Sequence, residues 1–189
     1  MGIGVRNYSN WIKFALFLIV LCFVLHLVSF GTPNWSEKGW WDADTLDRYF
    51  TYGLWQTCYD GSYSDCYYLR EPSDWHYNAR ALEVVGLIGV IICIVICATY
   101  IATPRLGRNA HLVLITLIVF CLLTSIFILS GVILWWANTP NVKAGYSAIF
   151  AFLAGISMMF CGFAVFMETR FLEEEAESAH IQQQMIQRY

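Results

Sequence analysis

Charge is what this sequence has least of. Asp, Glu, Lys and Arg make up 13% of its 189 residues against 58% hydrophobic residues, too few ionic groups to solvate an ordinary globule of this size. Four stretches hold no Asp, Glu, Lys or Arg: Phe14 to Phe30, Val84 to Thr103, Leu112 to Ala137 and Ala144 to Met167. As helices rising about 1.5 Å per residue, they approach or exceed a hydrocarbon layer of about 30 Å. Other absences exclude functions. No Ser/His/Asp, Cys/His or paired-carboxylate arrangement gathers on one side of these stretches, and no phosphate-binding glycine loop occurs, so an enzyme is not expected. The spans lack the charged pairs and broken helices of transport pathways. His26, His76, His111 and His180 are scattered, so neither a metal nor another cofactor is expected, and nucleic acid is not an expected partner. The apolar run after Arg6 and Lys13 is too long for a signal peptide and has no small-x-small cleavage site, so Met1 is expected to stay attached.

What remains predicts an all-α membrane protein. Helices are expected over about 11–31, 81–103, 111–137 and 144–168, with an outer loop over 32–78 and a cytoplasmic tail over 169–189. Arg6 and Lys13 lie on the same side of a four-span chain as Arg105 and Arg108, which makes that side cytoplasmic and places both termini there. The segment from Thr32 to Asn78 has three bases against eight acids, which suits an outer face. Of the seven cysteines, Cys22, Cys93, Cys97, Cys121 and Cys161 fall within apolar runs and read as small packing residues. Cys58 and Cys66 share the polar loop and most simply form one disulfide on the oxidising side, with a zinc pair as the alternative.

Lipid gives helices no hydrophobic reason to associate, so close approach at small residues must hold them together. Ala148, Ala151, Gly155 and Gly162 form one such stripe, and Gly86, Gly89, Cys93 and Cys97 form another. Two ionisable groups fall in or beside the spans. His26 is expected to face the bundle as a neutral, hydrogen-bonded ring, and Glu83 to sit in water at the outer start of the second helix.

From Arg48 to Leu69 the outer loop alternates aromatic and polar residues around Asp60-Gly61-Ser62, with Tyr49, Tyr52, Trp55 and Cys58 before the turn and Tyr63, Cys66 and Tyr68 after it. Aromatics favour strands and Asp-Gly favours a hairpin, so a small antiparallel β-sheet is expected on the outer face. Trp35, then Gly53-Leu54-Trp55 followed by Cys58 and Cys66, resembles the signature of the first extracellular loop of claudins. Asn78-Ala79-Arg80-Ala81-Leu82 leading into Val84-Val85-Gly86 is similar to the claudin approach to the second helix. The signature is shared by the peripheral myelin and epithelial membrane proteins, by the calcium-channel gamma and AMPA-receptor auxiliary subunits, and by junction proteins of the brain-cell-adhesion type. The resemblance implies a left-handed four-helix bundle carrying an extracellular sheet stapled by Cys58 and Cys66. Trp55 would anchor that sheet on the outer helix ends, with Trp35 and Arg80 beside it.

Three departures from the claudin pattern matter. The turn from Asn138 to Lys143 is much shorter than the usual second outer loop, so neither a strand nor trans adhesion is expected from it. The chain ends in Gln187-Arg188-Tyr189 rather than a Tyr-Val PDZ ligand, and no cysteine flanks the second or fourth helix on the cytoplasmic side for palmitoylation. The resemblance implies a plasma-membrane protein of cell-cell contacts that associates with lipids, with itself and with claudin-like proteins, through surfaces such as Tyr63, Tyr67 and Tyr68. The alternative is an auxiliary subunit bound to an ion channel or receptor. Asp60 and Asp65 are candidates for setting charge selectivity. Asn34-Trp35-Ser36 is a formal glycosylation sequon that emerges directly at the membrane.

Overall fold

The computed structural model describes residues 9–42, 45–59, 66–69, 71–103, 109–140 and 142–187. Four helices are long and apolar enough to cross a membrane: α1 (Asn10–Gly31), α2 (Asp74–Ala102), α3 (Asn109–Asn138) and α4 (Tyr146–Gln187). Ser9 caps α1 by accepting a hydrogen bond from the Trp11 N–H at 3.2 Å, which satisfies one of the donors a helix start leaves open. The fourth helix runs on through the acidic tail segment to Gln187, about two turns of which carry the exposed Ile181, Met185 and Ile186.

The second helix starts earlier than the expected 81. Pro72 precedes it, Ser73 takes the extended N-cap conformation with ψ 159°, and Asp74 places an acid in the first turn, where it complements the positive end of the helix. The loop expected over 32–78 therefore gives up its last residues to α2. This shift moves Glu83 from a first turn to a position well inside the helix.

Packing runs α1 against α4, α4 against α3 and α3 against α2, with a smaller contact between α1 and α2. Both small-residue stripes lie on seams, and α3 is the shared partner. A Cβ at Gly86 would meet Ile128, and one at Gly155 would meet Leu129. Ala148, Ala151, Cys93 and Cys97 are fully buried. The Sγ atoms of Cys93, Cys121 and Cys161 line up at 3.9 and 3.6 Å, filling the middle of the bundle as small side chains do. The outside is apolar instead: Phe17, Leu112, Ile126, Ile133 and Phe163 are all more than half exposed. Such surface far exceeds what water tolerates in a monomer and supports a multi-pass membrane protein.

One end of the bundle carries a five-stranded antiparallel sheet of order β4-β3-β2-β1-β5. Its strands are β1 (Ser36–Asp42), β2 (Thr45–Tyr52), β3 (Gln56–Tyr59), β4 (Cys66–Tyr68) and β5 (Lys143–Ala144). The first four come from the long loop; β2 to β4 overlap its alternating stretch, and β1 lies before it. The fifth corrects an expectation: the short turn between α3 and α4 does supply a strand, two residues long, paired with Ser36 and Glu37.

Candidate functional site

The residues of the loop signature meet where the sheet stands on the bundle. Trp35 precedes β1 and is fully buried, its Nε1 donating to Ser29 O at 3.0 Å and its ring 5.2 Å from that of Trp135. Its backbone is held on both sides, by Tyr52 O at 2.8 Å and by the Gly145 N–H at 3.0 Å. Trp55 is half-buried, donates from Nε1 to Phe30 O at 2.9 Å and meets the Phe30 ring edge-on at 5.1 Å. Each indole thus spends its one donor on a carbonyl at the end of α1, where a helix leaves acceptors open. The deepest anchor is Trp35, where the resemblance put Trp55 first.

Leu54 is the hinge of the arrangement. Its side chain is buried, and its carbonyl accepts from both His76 Nε2, at 2.9 Å, and Arg80 Nε, so both lone pairs of that oxygen are used. The Arg80 guanidinium also lies over the Trp55 ring, 5.1 Å from its centre, within cation–π range. Gly53 makes the turn possible, because a Cβ there would fall 2.5 Å from the Pro33 Cα. The signature is a joint: three glycine-to-tryptophan positions lock strand to helix, and α2 supplies His76 and Arg80, which lock it from the other side.

Cys58 and Cys66 are disulfide-bonded and sit directly opposite each other in the β3–β4 register. The zinc alternative is set aside by that bond. Beyond the clip, Phe50, Tyr59 and Tyr67 form an edge-to-face ladder with ring centres 4.7 and 5.7 Å apart, and Tyr67 and Tyr68 stand 64% and 78% exposed on β4. Asp60, Asp65 and Tyr63 lie outside the described residues. The Asn34 side-chain oxygen is buried beneath the turn at Gly145, an unfavourable setting for a glycan.

Two arrangements escape the sequence. Trp135, on α3, is 1% exposed and donates to the Ser36 hydroxyl at 2.6 Å; an interfacial tryptophan at the same place would read identically. Glu83 corrects an expectation outright. It is fully buried, with Oε2 3.6 Å from His26 Nδ1. His26 Nε2 faces the Glu83 carbonyl at 3.2 Å, and since a carbonyl only accepts, Nε2 carries the proton and Nδ1 looks toward the carboxyl. Gly131 of α3 makes room, for a Cβ there would collide with the Glu83 carboxyl. His26 is bundle-facing as expected, and its partner is the residue assigned to water.

Compared with protein-family models and with curated protein sequences, the chain matches none. The claudin resemblance therefore rests on the residues of the joint and their spacing.

Proposed function

We propose that this chain is a claudin-like membrane protein of cell-cell contacts, with the sheet outside the cell, both termini in the cytoplasm, and lateral and trans association as its work. The observation that carries this reading is the joint itself. Trp35, Gly53, Leu54, Trp55 and Arg80 converge on one contact between sheet and helix ends, which is the role the claudin signature implies for them. The joint holds a small clipped sheet and leaves Tyr67 and Tyr68 exposed on its outer strand. Exposed aromatics on a fixed scaffold suit protein contact, since they cover area at little conformational cost. Among the described residues β4 is an edge strand of the sheet, and backbone pairing at a sheet edge is a second means of association.

One observation favours the auxiliary-subunit reading. The connection between α3 and α4 is spent on a two-residue strand and on bonds to Asn34 and Trp35, which leaves little second loop for reaching another cell. A subunit that docks on a channel needs no such reach. Expression in cells without junction proteins separates the readings. Enrichment at contacts between two expressing cells, with terminal epitope tags stained only after permeabilisation, supports the junction protein. Uniform surface distribution favours the auxiliary subunit, and tag staining in intact cells overturns the topology. If a paracellular path forms, the acidic excess of the outer loop favours cations. Asp60→Asn with Asp65→Asn should then lower the sodium-to-chloride ratio in dilution-potential measurements.

A further inference from the structure

Between the sheet and the ends of α2 and α3 lies a cleft of about 400 Å³, a volume in the range of small-molecule sites. Part of its lining is aromatic. Trp75 and Tyr52 are half-buried there, and Trp75 packs on the buried rings of His76 and Trp135 at 5.1 and 5.5 Å. Two pairs of polar residues join them. Glu71 and Ser73 come from the connection into α2, Asn138 and Thr139 from the end of α3. Ser73 is the N-cap of α2, yet its side chain makes no capping bond, so its hydroxyl can both donate and accept. The Thr139 hydroxyl gives its proton to Trp135 O at 2.8 Å and is left as an acceptor. Asn138 donates one N–H to Leu134 O at 2.8 Å, which leaves its second N–H and its amide oxygen. The Glu71 carboxylate is exposed and only accepts.

An occupant that suits this lining has an apolar face for Trp75 and Tyr52 and, around its edge, groups that both donate and accept. We infer that the cleft binds a neutral pyranose, either the headgroup sugar of a glycolipid or a residue of a protein-linked glycan. The C–H groups of a pyranose form a face that covers an aromatic ring, while its hydroxyls point outward around the ring. Those hydroxyls donate to Glu71, Thr139 Oγ1 and Asn138 Oδ1, and accept from Ser73 and the second Asn138 N–H. A primary ammonium only donates and leaves the Ser73 and Asn138 donors unmet. An aliphatic chain strips water from all four polar residues and returns no bond, and an anion meets the like charge of Glu71. Lys38 also lines the cleft and takes no part in the recognition. The cleft lies at the ends of membrane-crossing helices, beside the headgroup layer. Such a role needs the sheet to lie outside the cell, as in the reading above, and is independent of whether the protein acts at junctions.

The test uses the full-length protein in phosphatidylcholine nanodiscs free of sugar detergents, doped with equimolar galactosylceramide, its 3-O-sulfate and ceramide of identical chains. Native mass spectrometry then counts the lipids retained. Discs expose both faces, so orientation in the cell does not enter. The expected result is retention of the neutral glycolipid over ceramide by about tenfold or more, the scale of one or two net hydrogen bonds, and a preference for it over the sulfated form. The Glu71→Ala, Ser73→Ala double variant should lose both preferences while its thermal unfolding midpoint stays put, since both residues are exposed and the Ser73 side chain caps nothing. A soluble neutral galactose oligosaccharide separates the two sources. Displacement of the glycolipid at micromolar concentration assigns the sugar to a protein-linked glycan, and displacement only at millimolar concentration or above assigns it to a lipid. Equal retention of ceramide and galactosylceramide, a preference for the sulfated lipid, or an unchanged preference in the double variant would overturn the inference. Failure of contact enrichment in cells with the sugar preference intact would remove the junction reading alone.

Discussion

Glu83 and Glu168 are both carboxylates closed off from solvent, at 0% and 2% exposure, and the bundle treats them differently. Glu168 sits at the end away from the sheet and accepts from Ser9 Oγ at the start of α1 and from Tyr100 at the end of α2, the latter at 3.2 Å. Three helices are tied there by a fully met group. Glu83 sits below the sheet and, among the described residues, neither of its carboxylate oxygens has a hydrogen-bond partner. His26 Nδ1 lies 3.6 Å from Oε2, beyond hydrogen-bond distance. One proton held by either the ring or the carboxyl makes the pair neutral overall, the least costly state away from water. The contrast separates a clamp, in which ordinary donors hold an acid, from a pair in which each member depends on the other.

That dependence makes the largest prediction. His26→Leu strands the carboxyl among apolar groups and should cost about 3 kcal/mol or more in detergent unfolding, and Glu83→Met should cost about 1 to 3 kcal/mol by stranding the ring. The double variant should recover most of the loss, because an apolar pair strands nothing. Additive losses in the three unfolding curves would mean that the two groups do not act as a pair.

The disulfide comes next. Cys58→Ser should remove about 2 to 3 kcal/mol from the small closed loop and cause retention in the secretory pathway, read by glycan-independent trafficking assays. Peptide mapping without reductant that found both thiols free in the wild type would contradict the structure itself. At the clamp, Glu168→Gln keeps an acceptor for a hydroxyl and should cost less than about 1 kcal/mol, with Tyr100→Phe at about 1 kcal/mol. A loss at Glu168→Gln as large as that of His26→Leu would erase the distinction between the two acids. The smallest effect is at Asn34, whose buried oxygen predicts no mobility change for Asn34→Gln after expression in glycosylating cells.

The legible part of the fold was local. Each span could be read because the length and polarity of a run belong to the run alone, and the sheet could be read because aromatic alternation and Cys58 with Cys66 mark strands in one continuous segment. The start of α2 was misplaced although its signal was present. Pro72-Ser73-Asp74 is a helix opening, but Asp74, His76, Asn78 and Arg80 made the stretch look like polar loop. The error carried over to Glu83, since an acid at a helix start and an acid two turns inside meet different solvents. The strand from Lys143–Ala144 was missed for another reason, because two residues have no periodicity to read.

Four apolar helices and one clipped β-layer follow from composition and spacing along the chain, and the resemblance to claudins names Trp35, Trp55 and Arg80 among the residues that join them. That Glu83 faces His26, that Trp35 lies deeper than Trp55, and that Trp75, His76 and Trp135 form one ring cluster came from packing. Those facts depend on how each helix is rotated about its axis. The rotation is set by contacts between distant residues, such as Gly131 against Glu83 and Gly86 against Ile128, where the absence of a side chain on one helix admits a particular one from the next.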